Sequence, residues 1–546
     1  MTSFFTKGNV RNLTPTAIAS TKWIAGQSSA FWRNDLKLLH SLVIASFLLF
    51  APFFVCIANG AGSDLYVSTN GDDANPGTIE RPFRTIQRAA DSAKPGATVY
   101  VRGGTYCQRL TVKISGDAQQ GFITFRSQPG EQAVLDGGCL TPPAGATNII
   151  ELRDMHYVRI EGFEICNYRT NDSRSVPGGI RVFGGGSHIE ILKNNVHHIE
   201  QNSAVQIRPG QGANGFGIAI YGTDAKTPVS DLVIEGNEIH HLKTGSSESL
   251  VVNGNVAGFR ISKNIVHDNN NIGIDVIGFE HTAPNPEVDR ARDGVVSENL
   301  VYNITSRGNP AYGNEANSDG IYVDGGTRIL IERNVMHDVD FGLELASEHA
   351  SGNTSHILAR NNLIYSCHTA GISIGGYDEK RGKTEDSTIV NNTLYNNDAW
   401  ETGTGEILMQ FYLRNNVFKI NIIYVGKHGR VMTSRSGRMD SSPTVIFDHN
   451  LYYYPGGSKS AKWSYDSKEF ASFEEYVQAS GNDQHSRFAD PEFLDAASNN
   501  FHLRPGSPAR NGGESLGPQI VGAEDLDGRH RLTGAKIDIG CYETPF

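Results

Sequence analysis

The sequence predicts an all-β protein: a single-stranded right-handed parallel β-helix, a solenoid with an N-terminal capping helix. Three observations carry that expectation. A short motif recurs through the middle of the chain: Asn, any residue, an apolar residue, then usually His or Tyr. It stands at Asn194, Asn237, Asn264, Asn299, Asn334, Asn362, Asn392 and Asn416, at intervals of 24 to 43 residues, in the range of solenoid repeats. Each motif has further short alternating runs before and after it, such as His188-Ile-Glu-Ile-Leu192 before and Gly273-Ile-Asp-Val276 after. No segment has the length and 3.6-residue period of a long helix. Short apolar strands that cannot bury themselves alone must stack, at about 4.8 Å per coil.

The elements follow in order. Leu38 to Ala58 is almost wholly apolar, is preceded by Lys7, Arg11, Lys22, Arg33 and Lys37, and is followed by small residues. Residues 1–60 therefore read as an export segment: a secretory signal cut after Gly60, or an anchor retained in the membrane. A secreted or periplasmic location is expected in the first case, membrane tethering in the second. Asp64–Ser68 alternates like a strand. Arg81 to Ala93 places Phe83, Ile86, Ala89, Ala90 and Ala93 at helical spacing with Pro82 in the first turn, and this helix is expected to shield the first coil. The β-helix is expected over 64–455 and a C-terminal closing module over 456–546, where Ser472-Phe-Glu-Glu475 is a capping box and Gly481 a helix stop.

Composition bounds the partners. The formal charge of −11 argues against nucleic acid, while local basic patches stay compatible with an anionic substrate. Cys56 lies in the export segment. Cys107, Cys139, Cys166, Cys367 and Cys541 show no CxxC spacing and read as buried thiols or one disulfide. The repeated Asn are expected to form an inward ladder that satisfies turn backbone groups. His197, His240, His267 and His337 recur in register and read as a side-chain stack rather than as metal ligands.

Chemistry on such a scaffold belongs to outward residues. Aligning the Gly-aliphatic steps of 273–281, 318–326, 342–349 and 371–382 puts Asp275, Tyr322, Glu344 and Ser373 on one outward line, with Asp324 two residues beyond Tyr322 on the same side. Acidic side chains on adjacent coils repel unless a cation, a shared proton or a catalytic role holds them together. His281, Tyr377, Lys380 and Arg381 stand in the neighbouring loops as substrate-binding candidates, together with Asp275 and Tyr322. Tyr312 and Trp400 offer further rings, and 281–292 and 306–317 are expected to wall a groove.

The opening "LYVSTNGDDANPG…RPFRTIQRAADSAKPGATVYVRGGTY" and the closing "ADPEFLDAASNNFHLRPGSPARNGG" and "DLDGRHRLTGAKIDIGCYE" resemble secreted bacterial pectate-lyase-like β-helix proteins, so the resemblance spans about residues 64–543. It implies a carbohydrate-active enzyme with a polysaccharide or oligosaccharide substrate. "DGIYVDGG" followed by "FGLELASEH" resembles the paired acidic segments of β-helix glycoside hydrolases, a group that includes β-xylosidases. That resemblance implies Asp324 as nucleophile and Glu344 as acid/base, with Glu348 an alternative acid and no cofactor required. Two other readings stand beside it. One is a lyase using Ca²⁺ held by Asp319 and neighbouring carboxylates, with Lys380 or Arg381 as base. The Lys-containing Asp-Gly and the Asp-Asp-Gly segments of one calcium-dependent pectate lyase family are missing, which weakens it. The other is a carbohydrate-binding surface protein without catalysis.

Overall fold

The computed structural model describes residues 64–203, 213–435 and 445–545. Residues 1–60, expected to direct export, lie outside the described residues. Among the described residues no helix is long and apolar enough to cross a membrane.

Among the described residues, the coils contribute strands to three sheets, of 15, 13 and 13 strands, whose neighbours pair in parallel coil after coil, save for the antiparallel pair Lys462–Tyr465 and Lys468–Phe470 at the end of the third. In one coil, sheet 1 takes Val256–Ser262, sheet 2 takes Ile265–Asn269 and sheet 3 takes Ile274–Ile277. The alternation seen in the sequence sets the packing. In sheet 3, Ile274 and Val276, Ile321 and Val323, Leu343 and Leu345, and Ile372 and Ile374 all point into the core and are almost completely buried. Burial contributes about 1.5–3 kcal/mol for each such side chain, which is why stacking, not any single coil, makes the fold stable.

The turn from sheet 1 to sheet 2 is the most repetitive feature. The residue before the Asn sits in the left-handed region at Lys193, Lys263, Glu298, Arg333, Asn361, Asn391, Ile420 and His449. Such a bend turns backbone N–H groups inward, and the ladder satisfies them. Asn264 N and Nδ2 both donate to Asn299 Oδ1 at 3.0 Å, and Asn299 repeats this on Asn334. The ladder runs from Asn194 through Asn392 as expected, but its next members are Asn421 and Asn450. Asn416 is not a rung. It opens a sheet 1 strand, Asn416–Lys419, and its amide serves Ser387 N and Thr384 O. The same left-handed-then-Asn turn occurs at Asn415-Asn416, so the motif marks a bend without saying which one.

The N-terminal helix is shorter than the spacing predicts, Ile86–Ser92. Thr85 is its N-cap, accepting Arg88 N, so Pro82 stays outside it. Its buried face, Ile86, Ala89 and Ala90, joins the core of the first coils. At the other end, Lys462–Tyr465 pairs with sheet 3 and Arg487–Phe488 with sheet 2. The coils thus extend past residue 455 into the closing module. Helix Phe473–Ser480 has Ser472 as N-cap and Gly481 in the left-handed region after it, as the sequence predicts. Among the described residues one disulfide, Cys107–Cys139, is present, and Cys166, Cys367 and Cys541 are buried thiols.

Candidate active site

The outward face of sheet 3 gathers acid. Register places Asp275 opposite Tyr322, Tyr322 opposite Glu344, and Glu344 opposite Ser373, so the outward line read from the sequence is a line in space. Glycines fix its start. A Cβ on Gly342 would lie 2.3 Å from Ile364 Cγ2 and 2.6 Å from Gly371 O, and one on Gly320 would lie 2.8 Å from Gly342 O. Both directions are inward. Asp319 is buried beside Glu344, and each carboxyl shifts the ionisation of the other.

Glu344 is held from a further side. Ser373 Oγ donates to its Oε1 at 2.8 Å and Gln410 Nε2 at 3.0 Å, with Gln410 also donating to Ser373 Oγ. Below Asp319, Asp340 accepts from Ser306 N, Ser318 N and Ser318 Oγ and lies 2.9 Å from His368 Nδ1. That buried anchor fixes both ends of the 306–317 loop.

The other end of the cleft is built by loops. Asp289 accepts His281 N at 2.6 Å and Ala283 N at 2.8 Å. Arg290 donates to Gly326 O and Asn353 O while its guanidinium covers Phe279. The folded loop presents Glu280, which accepts from Asn253 Nδ2 at 2.6 Å. Asp324 accepts Glu348 N at 2.7 Å. Arg381 donates to Glu348 O and lies over the Tyr377 ring at 4.2 Å. Glu280, Asp324 and His349 each offer a ligand atom, all within 4.8 Å of one another.

The electrostatics follow. Burial, then Glu348 and Glu280, hold the Asp324 carboxyl well above the usual carboxylate range, against the lowering effect of the Glu348 N–H. Burial and Glu344 do the same to Asp319, and burial with Glu248 and Asp324 to Asp275. Glu344 is also raised by burial, but Ser373, Asp319, Arg435 and Gln410 all pull it back. Burial and Glu280 push Glu248 up to about 8. Burial pushes the Glu348 carboxyl up, with Arg381 opposing and Glu344 and Glu280 adding to the rise, although the residue keeps an exposed surface. Asp275 Oδ1, Asp319 Oδ1 and Asn253 Oδ1 are buried without a hydrogen-bond partner. These carboxyls crowd together, with Arg381 and Arg435 the cations that act on them.

Not every residue singled out in the sequence belongs here. Tyr322 is 4% exposed and packs with Ile272 and Ala346, so it is a wall rather than a stacking surface. Tyr377 is exposed at the rim. His281 and Lys380 are exposed, and the contacts of both run through backbone N–H groups, to Asp289 and Asp378. Trp400 is exposed and stacks on His368 at 4.0 Å, with Arg307 over its ring. Asp319 is buried in its pair with Glu344. The three-ligand arrangement in the cleft uses Glu280, Asp324 and His349 instead. Sequence reasoning missed Glu248, Glu280, His349, Asn253 and Gln410. Glu280 and His349 each adjoin a residue that it did select, His281 and Glu348.

The model of the Pel9A-like right-handed β-helix region matches residues 65–229 and so ends before Glu248, the first carboxyl of the cleft. YwoF of Bacillus subtilis (strain 168) is 40% identical over 451 residues, covering 83% of this chain and 93% of that protein. Pectate lyase PEL9 of Emericella nidulans is 35% identical over 130 residues, and the match spans 31% of its length. Among solved structures, pectate lyase Pel9A aligns over 88% of this chain and 96% of its own, at 15% identity and a TM-score of 0.46.

Proposed function

Because the chain belongs to the family of YwoF and is a β-helix of the pectate-lyase-like kind, we propose that it is an enzyme that cleaves glycosidic bonds of a polysaccharide or oligosaccharide. The likeness of part of this chain to the pectate lyase PEL9 supports the substrate class, and the grouped carboxyls support the chemistry. The observation that carries the reading is the grouping of carboxyls on adjacent coils, with Glu344 held by Ser373 and Gln410 and with Asp324 on the same outward face.

Retaining hydrolysis is the reaction these residues suit best. Glu344 donates its proton to the leaving oxygen as the bond breaks. Asp324, once it has given up the proton that burial and the neighbouring carboxyls favour, attacks the anomeric carbon with its carboxylate, which the Glu348 N–H steadies. Water then enters, Glu344 takes its proton, and the sugar leaves Asp324. Adjacent strands about 4.8 Å apart put the two catalytic carboxyls within reach of one sugar ring. Export to the cell exterior, by the segment 1–60, fits both a polymer substrate and the disulfide.

A second reading rests on Glu280, Asp324 and His349. These residues suit a divalent cation, and the unpartnered oxygens of Asp275 and Asn253 fit a site with room for positive charge. A bound cation would make the cleft hospitable to a uronate and favour β-elimination, with Asp324 as ligand rather than nucleophile.

A panel of neutral and uronate-containing glycans, with calcium or with chelator, separates the two. Reducing ends without ultraviolet absorbance, unaffected by chelator, support hydrolysis. Absorbance of an unsaturated uronate that chelator abolishes supports the lyase and overturns the nucleophile role of Asp324. No product from any glycan overturns both.

A further inference from the structure

The ring stack on the outer face of sheet 2 ends in something other than a ring. His197, His240, His267, Tyr302, His337 and Tyr365 are register partners whose rings stack at 4.7–5.1 Å. Inside the stack each ring lies between two others. His197 is the first ring, and its partner on the preceding coil is Cys166.

Glu164 stands two residues before Cys166 on the same side of that strand, and its Oε1 lies 3.3 Å from His197 Nε2. This contact alone is unremarkable, because His240 and His267 face Asn195 and Glu238 in the same way. What sets the first coil apart is the thiol. The Cys166 Sγ, a Glu164 oxygen and a His197 ring nitrogen all lie within 4.8 Å of one another.

We propose that Glu164, Cys166 and His197 form a binding site for a borderline-soft divalent metal ion of the zinc type, remote from the carboxyl cleft. Sulfur, imidazole nitrogen and one carboxylate oxygen make a donor set that suits zinc and disfavours calcium or magnesium. Three protein ligands leave a fourth position for water. His197 Nδ1 lies 2.7 Å from His198 Nδ1, so the second nitrogen of the ligand ring has a partner that fixes the ring's orientation. The ion has a way in, because the Glu164 and His197 side chains keep 29% and 16% of their exposure while Cys166 beneath them is 2% exposed. Metal binding forms the metal–sulfur bond and releases the thiol proton to solvent.

The test is titration of the full chain with Co²⁺ under reducing conditions, following thiolate-to-cobalt charge transfer in the near ultraviolet. One equivalent is expected to saturate the band, and Zn²⁺ to displace it. Cys166→Ser, nearly isosteric and checked for folding by circular dichroism, should abolish the band. His197→Ala should weaken binding by about 10- to 100-fold or more, the range seen when coordination is disturbed. The all-nitrogen-and-oxygen group in the carboxyl cleft gives no thiolate band, so cobalt bound there is not counted. A missing band at stoichiometric cobalt, or a band that survives Cys166→Ser, overturns the proposal.

Discussion

Ser373 Oγ donates to Glu344 Oε1 at 2.8 Å, and the two residues are direct register partners on adjacent coils. The bond favours the ionised form of Glu344. Ser373→Ala removes it and raises the Glu344 carboxyl further. If Glu344 must be protonated to act, the alkaline limb of the activity profile moves to higher pH in this variant, while the acidic limb stays. A pH profile of kcat/KM for the two proteins checks this.

Glu344→Gln and Asp324→Asn keep shape and remove acid/base and nucleophile. Each should lower kcat by about 10²–10⁴-fold, with circular dichroism unchanged. Glu348→Gln should cost much less, because Glu348 meets Asp324 through its backbone N–H, which the variant retains.

The crowded carboxyls make stability fall as pH rises. Glu248 moves from 4.5 in the unfolded chain to about 8 in the fold. A raised folded value means that the folded state holds its proton longer. Its contribution is therefore complete below about 4.5 and is lost as pH climbs through about 8. Asp275, Asp319 and Asp324, also raised, act with the same sign. The melting temperature should decline across this window, and Glu248→Gln should flatten the decline; identical slopes in both proteins would contradict it.

The ladder gives a prediction about folding alone. Asn299 Oδ1 receives Asn264 N, and Asn299 Nδ2 donates to Ile261 O. Asn299→Ala leaves both buried groups without a partner, at about 1–3 kcal/mol each. Urea unfolding should show a lower midpoint, whereas Asn416→Ala should leave the main ladder whole.

Fold and site differ in how far they can be read without coordinates. Coil stacking fixes register through the Gly-aliphatic steps, so Asp275, Tyr322, Glu344 and Ser373 could be aligned from letters alone. The ladder was legible for the same reason as far as Asn392. It slips at Asn416 because two candidate turns lie close together there: Asn416-Val-Phe-Lys419 belongs to a sheet 1 strand, while Asn421-Ile-Ile-Tyr424, which ends in Tyr as the motif expects, is the rung. The cleft's second half was not legible. Glu280 and His349 sit on loops whose path is set by Asp289 and Arg290 and by packing between coils, and no strand period governs such paths. Gln410 reaches Glu344 across two coils, a contact invisible to local pattern.

The most direct test of the central claim is proton NMR of an early reaction mixture with the glycan that the panel identifies. One spectrum reads both the anomeric configuration of the first product and any vinylic proton. Cleavage by Asp324 and Glu344 predicts a product with retained configuration, no vinylic signal, and no product with Glu344→Gln. A vinylic signal, or an inverted anomer, would contradict it.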